Sequence, residues 1–372
     1  MRLLALGLLS AVARRDFCTQ GRLAQDRKVS GPFARSGRIT SINWNDKASA
    51  KVVRKSCGGL HHARLRNTIA GMFHTATDCS RQFKAPTTDA AHAKVRIAAV
   101  SYLNTCPLIA GLHKLANVSI TLAPPAQLLD MLLSGDVDVA LAPIIDAARS
   151  PQEIVLLPVG GVGSAATTLT VRLFSSVPLS AITKVHADVE SHTSIVLLRI
   201  VLNELHSVAP AIVPLDVRAV EAWPETALLI GDKVIASAPP PSTHPFTLDL
   251  GEAWRRCANL PFVYAVWMCV ASSLHSPSVR IAATALDRQR RHNATRTCWI
   301  AATEAPGHGW APAAARAYLQ DNLQFTIGAE ERKAAALFLD KACAMNLAPA
   351  GSLPLRWAQS VDWRAPVTSC PQ

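Results

Sequence analysis

The 372-residue sequence lacks several features that would place it in a class of proteins at once. It has no run of 18 apolar residues, so a membrane-spanning enzyme is not expected. Its 18 Gly and 24 Pro are ordinary in number, which excludes collagen-like and Pro-rich chains. Its nine cysteines are odd in number and form no CxxC pair, which argues against a disulfide framework and a structural zinc site. No P-loop, HExxH, GxSxG or GxGxxG motif stands in a supporting context, so the common nucleotide, zinc-protease and serine-hydrolase sites are not predicted.

Positive charge is concentrated in the first quarter of the chain. Residues 1–93 contain 16 Lys and Arg, five Asp and no Glu, which accounts for +11 of the total net charge of +12. Residues 94–372 are therefore almost neutral. A nearly neutral body does not favour binding to a duplex, so we predict no nucleic-acid partner and no membrane partner.

The first 93 residues show no sustained helical or strand periodicity. The opening MRLLALGLLSAVARR resembles a short secretory signal, and its acid-poor continuation resembles an organelle transit peptide. Three interpretations remain open: a cleaved presequence, a disordered extension, or a start codon assigned too far upstream, the last two together being favoured. Five side chains in this region could ligate a metal, but their spacing matches no common zinc finger. They are Cys57, His61, His62, His74 and Cys79.

Regular structure is predicted from Lys94 onward. Buried strands are indicated by KVRIAAVSY (94–102), VDVALAP (137–143), VLLPVGGVG (155–163), TLTVRLFSS (168–176), ALLIGDKVIAS (227–237) and LPFVYAVWMCV (260–270). Helices are indicated over 127–133, after Ser191, and twice within 314–349, where Glu330 and Glu331 suit a helix N-terminus. The intervening 271–312 segment looks irregular, as a basic solvated face or an insertion. Strands that alternate with helices predict an α/β fold with a mostly parallel sheet and ligands at the carboxyl ends of its strands.

Three loops rich in hydroxyl or amide groups follow predicted strands. They are Ser101–Thr105, Gly160–Ser164 (with Thr167, Thr168 and Thr170 beyond it) and Ser191–Ser194. Hydroxyls and free N–H groups at a helix N-terminus bind carboxylates without Arg or Lys. One such loop is usually an ordinary helix cap, but three in a nearly neutral α/β body predict an anion-binding cleft.

Three other residues have ordinary interpretations that outweigh catalytic ones. His192 beside a helix start is usually a cap or a surface donor. Asp232 is expected to cap a helix, with a general base as the minority interpretation. Cys106 lies near the first loop, but the sequence offers no basic partner to make its thiol nucleophilic.

Seven strings, taken in order along the chain, resemble the chorismate dehydratase family of the futalosine route to menaquinone. They are RIAAVSYLNTCPL (96–108), DVDVALAPI (136–144), VRLFSSVPL (171–179), SHTSIVLLRIVL (191–202), LLIGD (228–232), DLGEAWRR with NLPFVYAVW (249–267) and YLQDNLQFTIG (318–328). The SYLN, S-x-TS, IGD and LPFVxAxW strings are specific when they occur together. A sister family that makes dihydroxynaphthoate in the same route usually has a Cys-Pro-Asn-Asp-rich first loop, which SYLNTCPL does not match.

The resemblance implies an α/β, two-lobed fold similar to type 2 periplasmic binding proteins, with the ligand cleft between the lobes. TLTVRLFS and VYAVWMC are the candidate crossing strands. One lobe would comprise 94–174 plus 268–349 and the other 175–267, with 350–372 as a loose tail.

The resemblance also implies a reaction, in which chorismate loses water and becomes 3-[(1-carboxyvinyl)oxy]benzoate. Aromatisation drives this elimination, so no cofactor and no metal are expected. A cytoplasmic location is also expected. Asn104 is the candidate catalytic residue, and the substrate's own carboxylate is the candidate base. The candidate carboxylate-binding residues are Ser101, Ser164, Ser191, Thr193 and Ser194.

Two other functional hypotheses remain. A non-catalytic solute-binding protein for a small carboxylate would share the predicted fold, and the apolar N-terminal stretch would suit its export. A nucleic-acid-associated protein that uses the basic arm is the weakest alternative, because it requires salt-sensitive binding that is lost on deleting residues 1–93.

Overall fold

A computed structural model describes residues 94–350 and 354–359. The basic extension, with the candidate ligands Cys57 and His61, lies outside the described residues. Within the described part of the chain, no helix has the length and apolar character needed to cross a bilayer.

Eleven described strands form two mixed sheets. The first sheet has the order β11-β4-β10-β3-β1-β2, and the second has the order β7-β6-β8-β5-β9. The first contains β1 (Val95–Val100), β2 (Val118–Ala123), β3 (Val139–Pro143), β4 (Ile154–Ser164), β10 (Phe262–Val270) and β11 (Arg356–Trp357). The second contains β5 (Val171–Ser175), β6 (Lys184–Asp188), β7 (Ala211–Leu215), β8 (Thr226–Ile230) and β9 (Phe246–Asp249). The predicted strands at 94–102, 227–237 and 260–270 are therefore confirmed as β1, β8 and β10, with shorter bounds.

Helices cover the sheets and share their apolar core. They are α1 (Cys106–Ile109), α2 (Leu128–Leu133), α3 (Ile144–Arg149), α4 (His192–His206), α5 (Lys233–Ala236), α6 (Leu250–Ala258), α7 (Pro277–Ala294), α8 (Thr297–Glu304), α9 (Pro312–Ala317) and α10 (Ala329–Ala344). In α4, Val196, Leu197, Ile200 and Val201 recur at helical spacing and are buried. The acidic start predicted for α10 is confirmed, because Glu331 accepts a hydrogen bond from the N–H of Gly328.

The segment 271–312 was expected to be irregular, and that expectation is wrong. It contains α7 and α8. Ser276 accepts from the N–H of Val279 and begins α7, and the buried residues Val279, Ala283 and Leu286 lie on one face of that helix. The many Arg and polar residues on the other faces obscured this pattern in the sequence.

The loop predicted at Gly160–Ser164 is also wrong, because these residues continue β4. Strand β4 pairs antiparallel with β10, Gly163 opposite Val263 and Ser164 opposite Phe262. A Cβ on Gly161 would lie 2.6 Å from the carbonyl oxygen of Ala265, and one on Gly163 would lie 2.7 Å from that of Phe262. The glycines therefore permit close approach of two strands rather than a turn.

The chain changes sheet slightly earlier than the predicted lobe boundaries. After Ser164 it passes to β5 in the second sheet, and it returns to the first sheet at Phe262. The candidate crossing strand VYAVWMC lies in the first sheet as part of β10. The other candidate, TLTVRLFS, contains β5 of the second sheet. Within the predicted tail 350–372, Arg356 and Trp357 pair in parallel with β4.

Asp249 of the second lobe binds the first crossing segment, residues 168–175. Its buried carboxylate accepts from the N–H groups of Thr168 and Leu169 in that segment and from those of Gly251 and Glu252 at the start of α6. Leu169 has φ +63°, an uncommon value for a residue with a side chain, and the two lobes meet at this point. One carboxylate thus satisfies four backbone donors.

Replacement of Asp249 by Ala removes the acceptor for all four N–H groups. We expect the free energy of unfolding to fall by about 3 kcal/mol, since buried unsatisfied donors are costly. Urea unfolding measures this change. Asp216→Ala is the matched control, because Asp216 accepts from a single N–H, that of Arg218, at an exposed turn and should cost less than about 1 kcal/mol. Equal losses in the two variants would contradict the role given to Asp249.

Candidate active site

The two lobes enclose a cleft of about 630 Å³, which includes its open mouth. Parts of all three predicted loops line it, the first through Tyr102, Asn104 and Thr105, the second through Val162, and the third through residues 191–194. The crossing segment adds Thr168 and Thr170. Tertiary structure thus brings together polar groups from three separate parts of the chain.

Asn104 lies on a short 3₁₀ turn, Leu103–Thr105, that follows β1. Its side chain is half-buried at the cleft, and its Oδ1 accepts from the hydroxyl of Thr105 at 3.2 Å. Tyr318 also interacts with this amide, and its hydroxyl lies 2.7 Å from that of Thr170. Burial raises the pKa of Tyr318, so the phenol stays neutral and can donate.

The third loop forms the N-terminus of α4. Ser191 occupies the cap position, yet its side chain makes no capping hydrogen bond. Its Oγ is buried and has no partner among the described residues, although Ser191 lines the cleft. Thr193 and Ser194 line the same wall, and the hydroxyl of Thr193 donates to the carbonyl oxygen of Tyr264 in β10. The free N–H groups and the free hydroxyl suit an anion.

Two of the predicted carboxylate ligands lie outside this wall. Ser101 is exposed and is not among the residues that line the cleft. Ser164 ends β4, and its buried hydroxyl donates to the carbonyl oxygen of Ala166 at 3.0 Å. The expectation for Ser164 assumed a loop that opens a helix, whereas the residue lies in a strand. Of the predicted set, the cleft is lined by Asn104, Ser191, Thr193 and Ser194.

A network of charged groups closes one edge of the cleft. Lys233 Nζ lies 2.8 Å from both Asp188 and Glu190, and the hydroxyl of Tyr102 donates to Glu190. Burial opposes the charge of Glu190, but the hydrogen bonds from Lys233 and Tyr102 outweigh it, and its pKa is lowered. Burial raises the pKa of Asp188 despite its contact with Lys233. Arg218 also pairs with Glu190 at 3.3 Å, so the two cations and the two carboxylates of this network balance one another.

His192 lines the cleft and forms an ion pair across the lobes. Its Nδ1 lies 2.9 Å from Oδ1 of the buried Asp146 at the start of α3. The hydrogen bond to Asp146 raises the pKa of His192 although burial opposes the charge. Among the described residues that line the cleft, none is Lys or Arg, and His192 is the side chain that can become cationic.

Asp232 does not cap α5, contrary to expectation. It occupies the cap position but makes no side-chain capping hydrogen bond. Instead its carboxylate accepts from the N–H of Leu103, from Nδ1 of His308 and from Nε1 of Trp310. Asp232 is not among the residues that line the cleft, so it is not placed to remove a proton from a ligand there.

Cys106 has the basic neighbour that its sequence context did not reveal. Its Sγ lies 3.7 Å from Nε2 of His308, whose other ring nitrogen faces Asp232. Burial nevertheless raises the pKa of the Cys106 thiol to about 12. A thiol that stays protonated at neutral pH does not act as a nucleophile.

Comparison with known proteins agrees with this architecture. A family model described as menaquinone biosynthesis matches residues 95–344. Chorismate dehydratase of Thermus thermophilus is 29% identical over 241 residues, which cover 57% of this chain and 87% of that protein.

Solved structures share the fold at low sequence identity. The alkanesulfonate-binding protein SsuA of Xanthomonas axonopodis pv. citri, bound to MOPS, is 17% identical with a TM-score of 0.52, over 72% of this chain and 99% of that one. A protein of Archaeoglobus fulgidus is 15% identical with a TM-score of 0.51, over 68% of this chain and 98% of that one. The predicted periplasmic-binding-protein-like fold is confirmed.

Burial of Cys106 predicts slow chemical modification. At a pH of about 8, a thiol with a pKa of about 12 is ionised in about one molecule in 10,000. We expect iodoacetamide to alkylate the exposed Cys298 much faster than Cys106, as followed by mass spectrometry of peptides. Equal rates at the two positions would show that His308 activates the thiol after all.

Proposed function

The chain belongs to the menaquinone biosynthesis family, and we propose that it converts chorismate to 3-[(1-carboxyvinyl)oxy]benzoate and water. The observation that supports this proposal most directly is the position of Asn104. Its amide lies in a cleft lined by hydroxyl groups, a free helix N-terminus, apolar side chains and the paired side chains of Glu190 and His192. Such a site suits a small carboxylate whose reaction needs positioning more than a strong protein base.

Chorismate carries two carboxylates, and the cleft offers neutral donors to hold them. In the proposed complex, the hydroxyls of Ser191 and Ser194 bind one carboxylate together with the free N–H groups of α4, while Thr193 lines the same wall with its hydroxyl bonded to Tyr264. His192, protonated beside Asp146, supplies a charge-assisted ring N–H donor, and the pair as a whole is neutral. Ser101 and Ser164 have no part in this complex, because neither lines the cleft.

The proposed elimination removes the C3 hydrogen and the C4 hydroxyl of the ring. The C3 proton passes to a carboxylate of the substrate. Among the described residues that line the cleft, the one carboxylate of the protein is that of Glu190, and it is paired with Lys233. The electron pair of the C3–H bond forms the new ring double bond, and the C4–O bond breaks. The departing hydroxide takes the proton from the substrate's carboxylate and leaves as water, so the carboxylate is regenerated and the ring becomes aromatic.

Asn104 has two tasks in this proposal. Its amide holds the enolpyruvyl side chain so that the carboxylate reaches the C3 proton, and it hydrogen-bonds the reacting oxygen atoms. Thr105 and Tyr318 hydrogen-bond with the amide and restrict its orientation. An amide does not accept a proton at neutral pH, so Asn104 positions the base and does not replace it.

Incubation of the full-length chain with chorismate, followed by mass spectrometry, tests the proposal. We expect loss of one water and formation of 3-[(1-carboxyvinyl)oxy]benzoate without added metal or nucleotide. Asn104→Ala should lower kcat by about 100-fold or more, because positioning of the reacting groups is lost. Ser101→Ala is the matched control, since this exposed serine of the same loop does not line the cleft and should leave kcat unchanged.

Two results would overturn the proposal. Unchanged chorismate with a folded wild-type chain would exclude the reaction, and a thermal shift by chorismate in the same sample would favour a solute-binding protein. Near-normal turnover by Asn104→Ala would exclude the role given to this residue while the reaction itself stood.

The His192–Asp146 pair predicts how binding depends on pH. The pKa of His192 is raised, so the imidazolium persists to a higher pH than usual, and its attraction for a carboxylate is lost as pH rises through that value. Arg149 opposes this charge, and Asp146 and Asp130 favour it. We expect KM for chorismate to rise about tenfold between roughly pH 6 and 9.

Steady-state kinetics of two His variants check this prediction. His192→Gln should have the high KM throughout that range, because glutamine carries no charge. His113→Gln removes an exposed His that does not line the cleft and should keep the wild-type profile. A His192→Gln profile that still follows that of the wild type would contradict the role given to His192.

A further inference from the structure

Asp232 stands in the second lobe, directly after β8, yet its carboxylate binds three groups of the first lobe. Oδ2 accepts from the backbone N–H of Leu103 at 3.0 Å and faces Nδ1 of His308 at 2.8 Å. Oδ1 accepts from Nε1 of Trp310 at 2.8 Å. All three hydrogen-bond partners of this carboxylate therefore belong to the opposite lobe, so its contacts connect the two lobes.

Leu103 begins the 3₁₀ turn that contains Asn104. The first N–H groups of such a turn have no partner within it and need an external acceptor. Asp232 supplies this acceptor at Leu103, one residue before the amide that lines the cleft. The position of Asn104 in the first lobe is therefore defined by a carboxylate of the second.

Gly231, the residue before Asp232, makes a second contact with the first lobe. Its φ is +64°, and a Cβ on it would lie 2.6 Å from the ring of Tyr102. Tyr102 precedes Leu103, so two consecutive residues of the second lobe contact two consecutive residues of the first. The close approach requires glycine, and it leaves the turn little room to shift.

We propose that Asp232 is a positioning residue that holds the Leu103–Thr105 turn, and with it Asn104, in the geometry that the reaction needs. This inference rests on the proposed function for the task of Asn104. His308 and Trp310 act through Asp232, because their ring N–H groups orient its carboxylate toward Leu103. The carboxylate touches neither the lining of the cleft nor a group that reacts there.

The test combines kinetics with hydrogen exchange at the Leu103 amide. In Asp232→Ala the amide loses its acceptor, and we expect its exchange to quicken about tenfold or more while exchange in β8 is unchanged. With chorismate, kcat should fall by about 100-fold and KM should change by less than about threefold, since the residues of α4 still bind the carboxylate. This split separates loss of positioning from loss of binding.

Three further variants keep the result interpretable. Asp232→Asn should restore part of kcat and of Leu103 protection, because its amide oxygen can still accept from that N–H. Trp310→Phe removes the bond to Oδ1 and alters the stacking on Tyr318, and it should quicken exchange at Leu103 less than Asp232→Ala does, because His308 still holds Oδ2. Glu204→Ala is the matched control, because it removes an ion pair between α4 and Lys341 of α10, away from the turn, and should change neither measurement.

Each outcome decides the matter. Unchanged exchange at Leu103 or unchanged kcat in Asp232→Ala would overturn the inference, and so would equal losses in Glu204→Ala. A wild-type chain that leaves chorismate unchanged would defeat the proposed function, whereas exchange at Leu103 would still support or contradict its contact with Asp232. Faster exchange, a lower kcat and partial recovery in Asp232→Asn would support the inference.

Discussion

The antiparallel pairing of β4 with β10 is the constraint on which the rest of the structure depends. Both strands belong to the first sheet, and the chain enters and leaves the second lobe where they meet. Gly161 and Gly163 let the two backbones approach more closely than any side chain would allow. The chain therefore enters and leaves the second lobe at neighbouring points, and Asp249 binds the adjoining crossing segment to α6. The cleft is a consequence of this junction.

Neutral donors dominate the cleft, and burial keeps them neutral. The pKa values of Tyr264 and Tyr318 are raised because desolvation opposes the phenolate, so both phenols remain donors. Lys233 is paired with Asp188 and Glu190 and adds no free charge. Electrostatic attraction for an anion then depends on His192 and on the N-terminus of α4. Such a site selects a ligand by the placement of its oxygen atoms, since little net charge is present to attract anions in general.

Asp232 and Asp249 show how one residue type serves two purposes in similar sequence contexts. Each lies where a strand of the second sheet is followed by a helix, Asp232 two residues after β8 and Asp249 as the last residue of β9. Asp249 does cap α6 and also holds the crossing segment. Asp232 leaves α5 without a side-chain cap and binds the first lobe instead. Helix α5 has four residues and gains little from a cap, so the carboxylate is free for the contact across the cleft.

The sequence by itself determined the fold class, the main buried strands from Lys94, and the two loops at Asn104 and Ser191 that line the cleft, but it did not reveal α7 and α8. These features depend on local periodicity and on turn and cap chemistry, which short windows of sequence contain. The family resemblance could also be recognised from the sequence, because its motifs are short strings.

Tertiary structure alone decided which polar groups meet. Leu103 and Asp232 are 129 residues apart, and Asp232 and His308 are 76 apart, so no local pattern relates them. The structure likewise turned the hydroxyl of Ser164 onto the backbone and left Ser101 exposed, because the glycines before Ser164 serve strand pairing. Contacts between distant segments follow from how whole sheets and helices pack, and the residues of one segment do not contain that information.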